Sequence, residues 1–250
     1  MTIPIDISEE SGIRYLHFGS EWVQGAMRIR KPDALELDYT REMMAGLLLR
    51  DAAWPKRVLL IGLGAGSLAK FIHRHLPEAH STVVEIAPEV HAVARQFFKL
   101  PDEDERLQIV IGDGADFVTQ DTRQWDLIAV DGFDRHARAG ALATQPFYEA
   151  CRARLSDRGL LAVNLFGQLR GFKTQVQRLG KAFEGRVLAL PELESGNVVA
   201  FGAVGEPVEN SLAELRVRAA SLKAATGLDL TPTLRRLEKS GVLSDGRLDF

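Results

Sequence analysis

Five residues constrain this chain more than any others. Gly62-Leu63-Gly64-Ala65-Gly66 lies between an apolar run at 58–61 and a helix-period segment at 68–76. An apolar run that ends in clustered glycines and restarts as a helix is the opening turn of a strand–helix–strand unit. There the glycines let the backbone bend sharply and approach a ligand, while the helix N-terminus offers unpaired N–H groups. The alternation continues downstream, with apolar runs at 57–61, 82–86, 107–111, 126–131, 160–165, 187–190 and 198–204, separated by helix-period segments such as 89–98 and 146–155. Continuous apolar strands alternating with helices predict a mostly parallel sheet covered on both faces. The connection at 191–197 is too short for a crossover, so the last two strands are expected to pair antiparallel. The expected fold is α/β, a Rossmann-like and mostly parallel sheet of seven strands.

The flanks read differently. Residues 13–18 and 22–29, separated by Gly19-Ser20, predict a small β-hairpin segment within 1–37. Residues 38–50 predict an amphipathic helix, with Asp38 as N-cap and Met43, Met44, Leu47 and Leu48 on its apolar side. That helix opens a Rossmann-like, nucleoside-binding catalytic domain expected over 38–205. The remainder, 206–250, is expected to be a helical tail. Ser211 with Glu214 makes a capping box, Thr231-Pro232 is a second start signal, and Gly227 and Gly241 are stops.

Composition excludes several classes. The net charge of −3 over 250 residues lacks the basic excess that nucleic-acid binding needs, so no nucleic-acid partner is expected. No apolar run approaches the ~18–20 residues of a membrane span, and residues 1–10 show no basic-then-apolar leader. The expectation is a cytoplasmic protein with no membrane partner. A single cysteine, Cys151, allows neither an internal disulfide nor a cysteine-rich zinc site. His73 and His75 are two apart and do not share a helix face, so with His80 they read as a solvated helix end, and no metal is expected. Trp22, Trp54 and Trp125 are scattered and read as core or boundary residues.

The chemistry lies at the ends of the apolar runs. Glu85 follows Gly66 by 19 positions, where a carboxylate can accept hydrogen bonds from ribose hydroxyls. Asp113, flanked by Gly112 and Gly114, can reach an adenine amino group. Asp131 ends the next run, with Asp134 three residues on. A dinucleotide fingerprint wants Gly or Ala at position 67, and this chain has Ser67. Gly62, Gly64 and Gly66, Glu85, Asp113 and Asp131 all fall at the carboxyl ends of four expected parallel strands, the edge where open α/β sheets bind ligands. The joint placement predicts an adenosyl site.

These residues carry a resemblance. Together with Glu42-Met43-Met44, Val84-Glu85-Ile86, Asp131-Gly132-Phe133-Asp134, Phe147-Tyr148 and Ser195-Gly196, and with Gln24 near the N-terminus, the chain from 13 to 204 resembles the spermidine synthase family of polyamine aminopropyltransferases. The resemblance implies an S-adenosylmethionine-type transferase fold. It also implies transfer of an aminopropyl group from decarboxylated S-adenosylmethionine to a small-molecule amine, releasing methylthioadenosine. Asp131 matches the family's general base, and Asp134 and Gln24 its substrate-binding positions. Gly62, Gly64, Gly66, Glu85, Ile86, Asp113 and Gly114 match its donor-binding positions, and a homodimer is expected.

The departures are specific. The family's acid in the glycine loop is Ala65 here, its tyrosine before the helix glutamate is Thr40, and the residue after that is Arg41. Its tyrosine before Ser-Gly is Leu193, and Tyr39 is one residue out of register, expected to point about 100° away on a helix. Loss of the loop acid and gain of Arg41 leave two alternatives open: a methyltransferase using intact S-adenosylmethionine, or a non-catalytic nucleoside-binding homologue.

Overall fold

The structure, a computed structural model, describes residues 4–51, 53–133 and 138–250. Three sheets form among these residues. The chain opens with β1 (Asp6–Glu10), β2 (Ile13–His17) and β3 (Val23–Arg28), an antiparallel sheet in order β1-β2-β3. The expected hairpin was one strand short. β1 is largely exposed, so it carries no apolar alternation to mark it.

The segment at 38–50 is likewise not one helix but two short ones, α1 (Asp38–Met43) and α2 (Gly46–Leu49). Leu37, in extended backbone, is the N-cap, and Asp38 is a first-turn residue. Gly46 opens α2 where an added Cβ would lie 3.4 Å from both Leu160 and Trp54, so the chain is pressed against the sheet there.

The central sheet runs through β4 (Arg57–Ile61), α3 (Ser67–His75), β5 (His80–Glu85), α4 (Pro88–Phe97), β6 (Leu107–Ile111), α5 (Gly114–Gln120), β7 (Trp125–Val130), α6 (Gln145–Ala153), β8 (Leu155–Phe166), α7 (Phe172–Ala182), β9 (Val187–Ala189) and β10 (Asn197–Ala203). Its order is β6-β5-β4-β7-β8-β10-β9. The first five of these are parallel, and β10 runs antiparallel to both β8 and β9, as the short 191–197 connection required. Alternate residues of β4 enter opposite cores: Val58 and Leu60 pack on one face with α3, α4 and the N-terminal sheet, Leu59 and Ile61 on the other with α5–α7. That division is the physical content of a strand buried on both sides.

The tail contains α8 (Leu212–Thr226) and α9 (Thr231–Lys239). The Ser211–Glu214 capping box is formed. A two-stranded sheet, β11 (Glu209–Ser211) with β12 (Arg247–Asp249), closes the tail on itself and was not foreseen, since three-residue strands leave no periodic signal. The tail is tied to α1 by an ion pair between Arg236 of α9 and the buried Glu42. No helix among the described residues is long and apolar enough to cross a membrane.

Candidate active site

The sheet reverses its order between β4 and β7, and a crevice opens at the carboxyl ends of these strands. A cavity of about 1230 Å³ lies there. The two chain segments leaving β4 and β7 touch: a Cβ on Gly62, whose φ is +94°, would stand 2.1 Å from the Asp131 carbonyl oxygen. Only glycine fits. From above, β3 covers the loop so closely that a Cβ on Gly25 would meet Ala65 Cβ at 2.6 Å.

The wall of this cavity brings together Gln24, Gly62, Gly64, Glu85, Ile86, Asp113, Gly114 and Asp131. Gly66 is not on it; this glycine forms the left-handed N-cap of α3 and acts through the helix it starts. Asp134 lies outside the described residues.

One half of the cavity is organised by backbone amides. Glu85 Oε2 accepts from Leu63 N and Oε1 from Ala87 N, each at 2.9 Å, so the carboxylate joins the glycine loop to the turn after β5. Burial raises the Glu85 pKa, and the backbone N–H groups around it oppose that rise. Asp113 Oδ1 caps α5 by accepting from Ala115 N and Asp116 N at 2.7 and 3.1 Å. Both cap bonds fall on Oδ1, which leaves Oδ2 for an exocyclic amine. Ile86, 65% exposed in a cavity wall, offers an apolar face to a base.

The other half is organised by side chains. Asn164 Nδ2 donates to Asp131 Oδ1 at 2.9 Å, and the Tyr39 hydroxyl donates to the same carboxylate. Burial raises the Asp131 pKa, while the bonds from Asn164 and Tyr39 lower it. The Tyr39 pKa is in turn raised, by burial first and then by the Asp131 charge, so the phenol stays a donor. The position of Tyr39 corrects the register argument. It lies in the first turn of α1, and helical side chains lean toward the N-terminus, so it overhangs the helix start and enters the cavity.

Trp22 is a second correction. It is 55% exposed, lines the cavity, and meets Phe166 edge-on at 6.0 Å, with Phe133 edge-on to Phe166 at 5.0 Å. Asn164 and Asn197 were missed by sequence reasoning, and Tyr39 was expected to point away from the site. The only available signal was the polarity of Asn164 inside an otherwise apolar run.

The altered positions have structural explanations. Arg41 spends its guanidinium on its own turn, donating to Leu35 O and Glu36 O at 2.8 Å each and pairing with Asp38 at 2.7 Å. Thr40 is buried and donates to Leu37 O. Leu193 is buried and off the cavity wall. Ala65 fills the space that β3 leaves. The two features that had favoured a carboxylate-bearing donor are therefore accounted for by packing.

A family model described as the spermine/spermidine synthase domain matches residues 37–187. The chain is 41% identical over 244 residues to a polyamine aminopropyltransferase of Chromobacterium violaceum, covering 98% of this chain and 93% of the relative. The chain belongs to the spermine/spermidine synthase family. Its membership rests on sequence, because structure alone is less selective. A probable spermidine synthase from Corynebacterium glutamicum superposes with TM-score 0.73 at 22% identity, covering 88% of this chain and 84% of that one. Human methyltransferase-like protein 13 in complex with SAH does so with TM-score 0.67 at 24% identity, covering 77% and 93%. The fold is shared by both kinds of enzyme, and membership of the spermine/spermidine synthase family favours the aminopropyltransferase reading over the methyltransferase one.

Proposed function

We propose that this family member transfers an aminopropyl group from decarboxylated S-adenosylmethionine to a small-molecule amine, with Asp131 as general base. The observation that supports this reading is the position of Asp131. It follows β7 directly, its backbone touches the glycine loop at Gly62, and its carboxylate stands in the cavity with two donors already on it. An ammonium is no nucleophile, so its proton must leave before attack. Asp131 accepts that proton. The amine nitrogen then forms a bond to the methylene carbon beside the sulfonium, the carbon–sulfur bond breaks, and its electron pair stays on sulfur, giving neutral methylthioadenosine.

On this reading Glu85 accepts from the ribose hydroxyls, Asp113 from the adenine amine, and Ile86 packs on the base. The rings of Trp22, Phe133 and Phe166 offer a wall to the methylene stem of the acceptor. Asp134 and Gln24 keep the substrate-binding roles implied by the resemblance. The family also suggests a homodimer, which sedimentation of the purified chain tests.

The function is tested by incubating the protein with decarboxylated S-adenosylmethionine and a panel of diamines. Methylthioadenosine and a new polyamine should appear in equal amounts. Calorimetry should show tighter binding of the decarboxylated donor than of S-adenosylmethionine. Methylated product from intact S-adenosylmethionine, with no methylthioadenosine, would sink the proposal.

A further inference from the structure

The bonds around Asp131 extend beyond its immediate partners. Asn164 and Asn197 are both buried, and a buried amide is costly unless both its ends are used. Asn164 Nδ2 donates to Asp131 Oδ1 at 2.9 Å, Asn197 Nδ2 donates to Asn164 Oδ1 at 2.9 Å, and Ser195 Oγ donates to Asn197 Oδ1 at 2.7 Å. The three bonds run head to tail. They cross from β7 to β8 to β10, strands adjacent in the sheet though far apart in the chain.

We propose that Asn197, backed by Ser195, is a positioning residue that holds Asn164 in the one amide orientation able to donate to Asp131. The inference rests on the reading of Asp131 as the base. An ionised carboxylate only accepts, whereas an asparagine turned by half a revolution presents oxygen instead of nitrogen. In that turned state Asn164 would set its own oxygen against the carboxylate. Asn197 blocks it by giving an N–H to Asn164 Oδ1, and Ser195 fixes Asn197 in the same way at the cavity rim. The row of aligned dipoles polarises in one direction and strengthens the last bond, the one that meets the base. It also fixes the carboxylate relative to the nitrogen it must deprotonate, which is where small misplacements are most damaging.

The same arrangement governs pH dependence. Tyr39 on α1 and Asn164 on β8 bond Asp131 itself. The charged groups elsewhere on the cavity wall are Glu36, Asp38, Arg41, Glu85, Asp113 and Arg138. Weakening the Asn164 bond removes one of the two contacts that lower the Asp131 pKa, so the acid limb of kcat should move to higher pH.

Asn197→Asp tests the proposal at nearly constant shape. The new carboxylate cannot donate, so Asn164 turns to donate to it and withdraws its N–H from Asp131. With putrescine and decarboxylated S-adenosylmethionine, kcat should fall about tenfold, the scale of one charge-assisted hydrogen bond. The amine KM should stay within about twofold and the acid limb should rise. Ser195→Ala, at an exposed position, should do the same more weakly, with kcat down about threefold. Asn197→Leu separates orientation from added charge and should lie between the two. A merely structural role would lower the melting temperature and leave the pH limb in place. Wild-type kcat and pH profile in folded Asn197→Asp and Ser195→Ala, alongside an inactive Asp131→Asn, would overturn the positioning role. An active Asp131→Asn would instead overturn the base assignment on which it rests.

Discussion

The two halves of the cavity are built from different materials. On the proposed donor side, Glu85 and Asp113 are held by backbone N–H groups of the loops around them: Leu63 and Ala87 for one, Ala115 and Asp116 for the other. On the proposed acceptor side, Asp131 is held by the side chains of Asn164 and Tyr39, the former by Asn197 and that by Ser195. A backbone donor is present whatever the side chain, so the first half depends on chain geometry and a few glycines. The second half depends on the identity of each partner. The altered positions fall on both sides, Ala65 in the glycine loop and Thr40 and Arg41 on α1, while the carboxylates Glu85 and Asp113 are present.

Changes on the two sides should therefore fail in different ways. Asp131→Asn gives the largest effect, a kcat loss of about 10²–10⁴-fold expected for removal of a general base, with donor affinity little changed. The same variant should melt higher at neutral pH. The folded Asp131 pKa is raised, so the stability this group contributes is present below the unfolded carboxyl pKa and lost as pH rises through the folded one. At neutral pH the ionised acid is a burden that the amide removes. Activity and melting curves of the one variant check both statements, and a lower melting point would contradict the linkage argument.

Glu85→Gln should act on binding instead. The new amide sets N–H against one of the backbone donors at Leu63 or Ala87, leaving a buried clash of donors worth about 1–3 kcal/mol. Donor Kd should rise about tenfold or more on that scale, with kcat at saturation far less affected. Calorimetry against methylthioadenosine measures it, and an unchanged Kd removes Glu85 from the site.

Ala65→Asp sharpens the contrast from the side of the loop. It restores the family's acid, but the space is taken by Gly25, whose absent Cβ would already stand 2.6 Å from Ala65 Cβ. Overpacking here should cost about 1–3 kcal/mol of stability. It should bring no gain in affinity for the decarboxylated donor. A tighter donor Kd with an unchanged melting temperature would show that β3 yields.

Tyr39→Phe is the smallest change. Loss of one hydrogen bond on the base should lower kcat by about three- to tenfold. Because that bond lowers the Asp131 pKa, the acid limb should shift upward. A pH–rate profile of the variant decides it.

Much of the frame was legible in the residues. The inner strands β4, β5, β7, β8 and β10 were visible because strands buried on both faces need continuous apolar runs, as in Trp125–Val130, and the half-exposed edge strand Leu107–Ile111 was marked by its aliphatic residues and the helices on either side. β1, β11 and β12 were not, being exposed or three residues long. The break between α1 and α2 was hidden because the apolar positions continue through it, while Gly46 packs the chain against Trp54 and Leu160. Trp22 was read as a boundary residue because no local pattern says that β3 folds over the glycine loop.

The proposed donor site could be assembled from sequence alone because its parts are local: a glycine loop, and carboxylates at strand ends, each satisfied within a few residues or by the neighbouring turn. The surroundings of the proposed base, Asp131, could not. Tyr39, Asp131, Asn164 and Asn197 are spread over more than half the chain. They meet because β8 lies beside β7 and antiparallel β10 beside β8, which brings the start of β10 to the carboxyl ends of β7 and β8, where the first turn of α1 also lies. Strand order and the packing of one short helix are long-range outcomes, and in this protein they decided what holds Asp131.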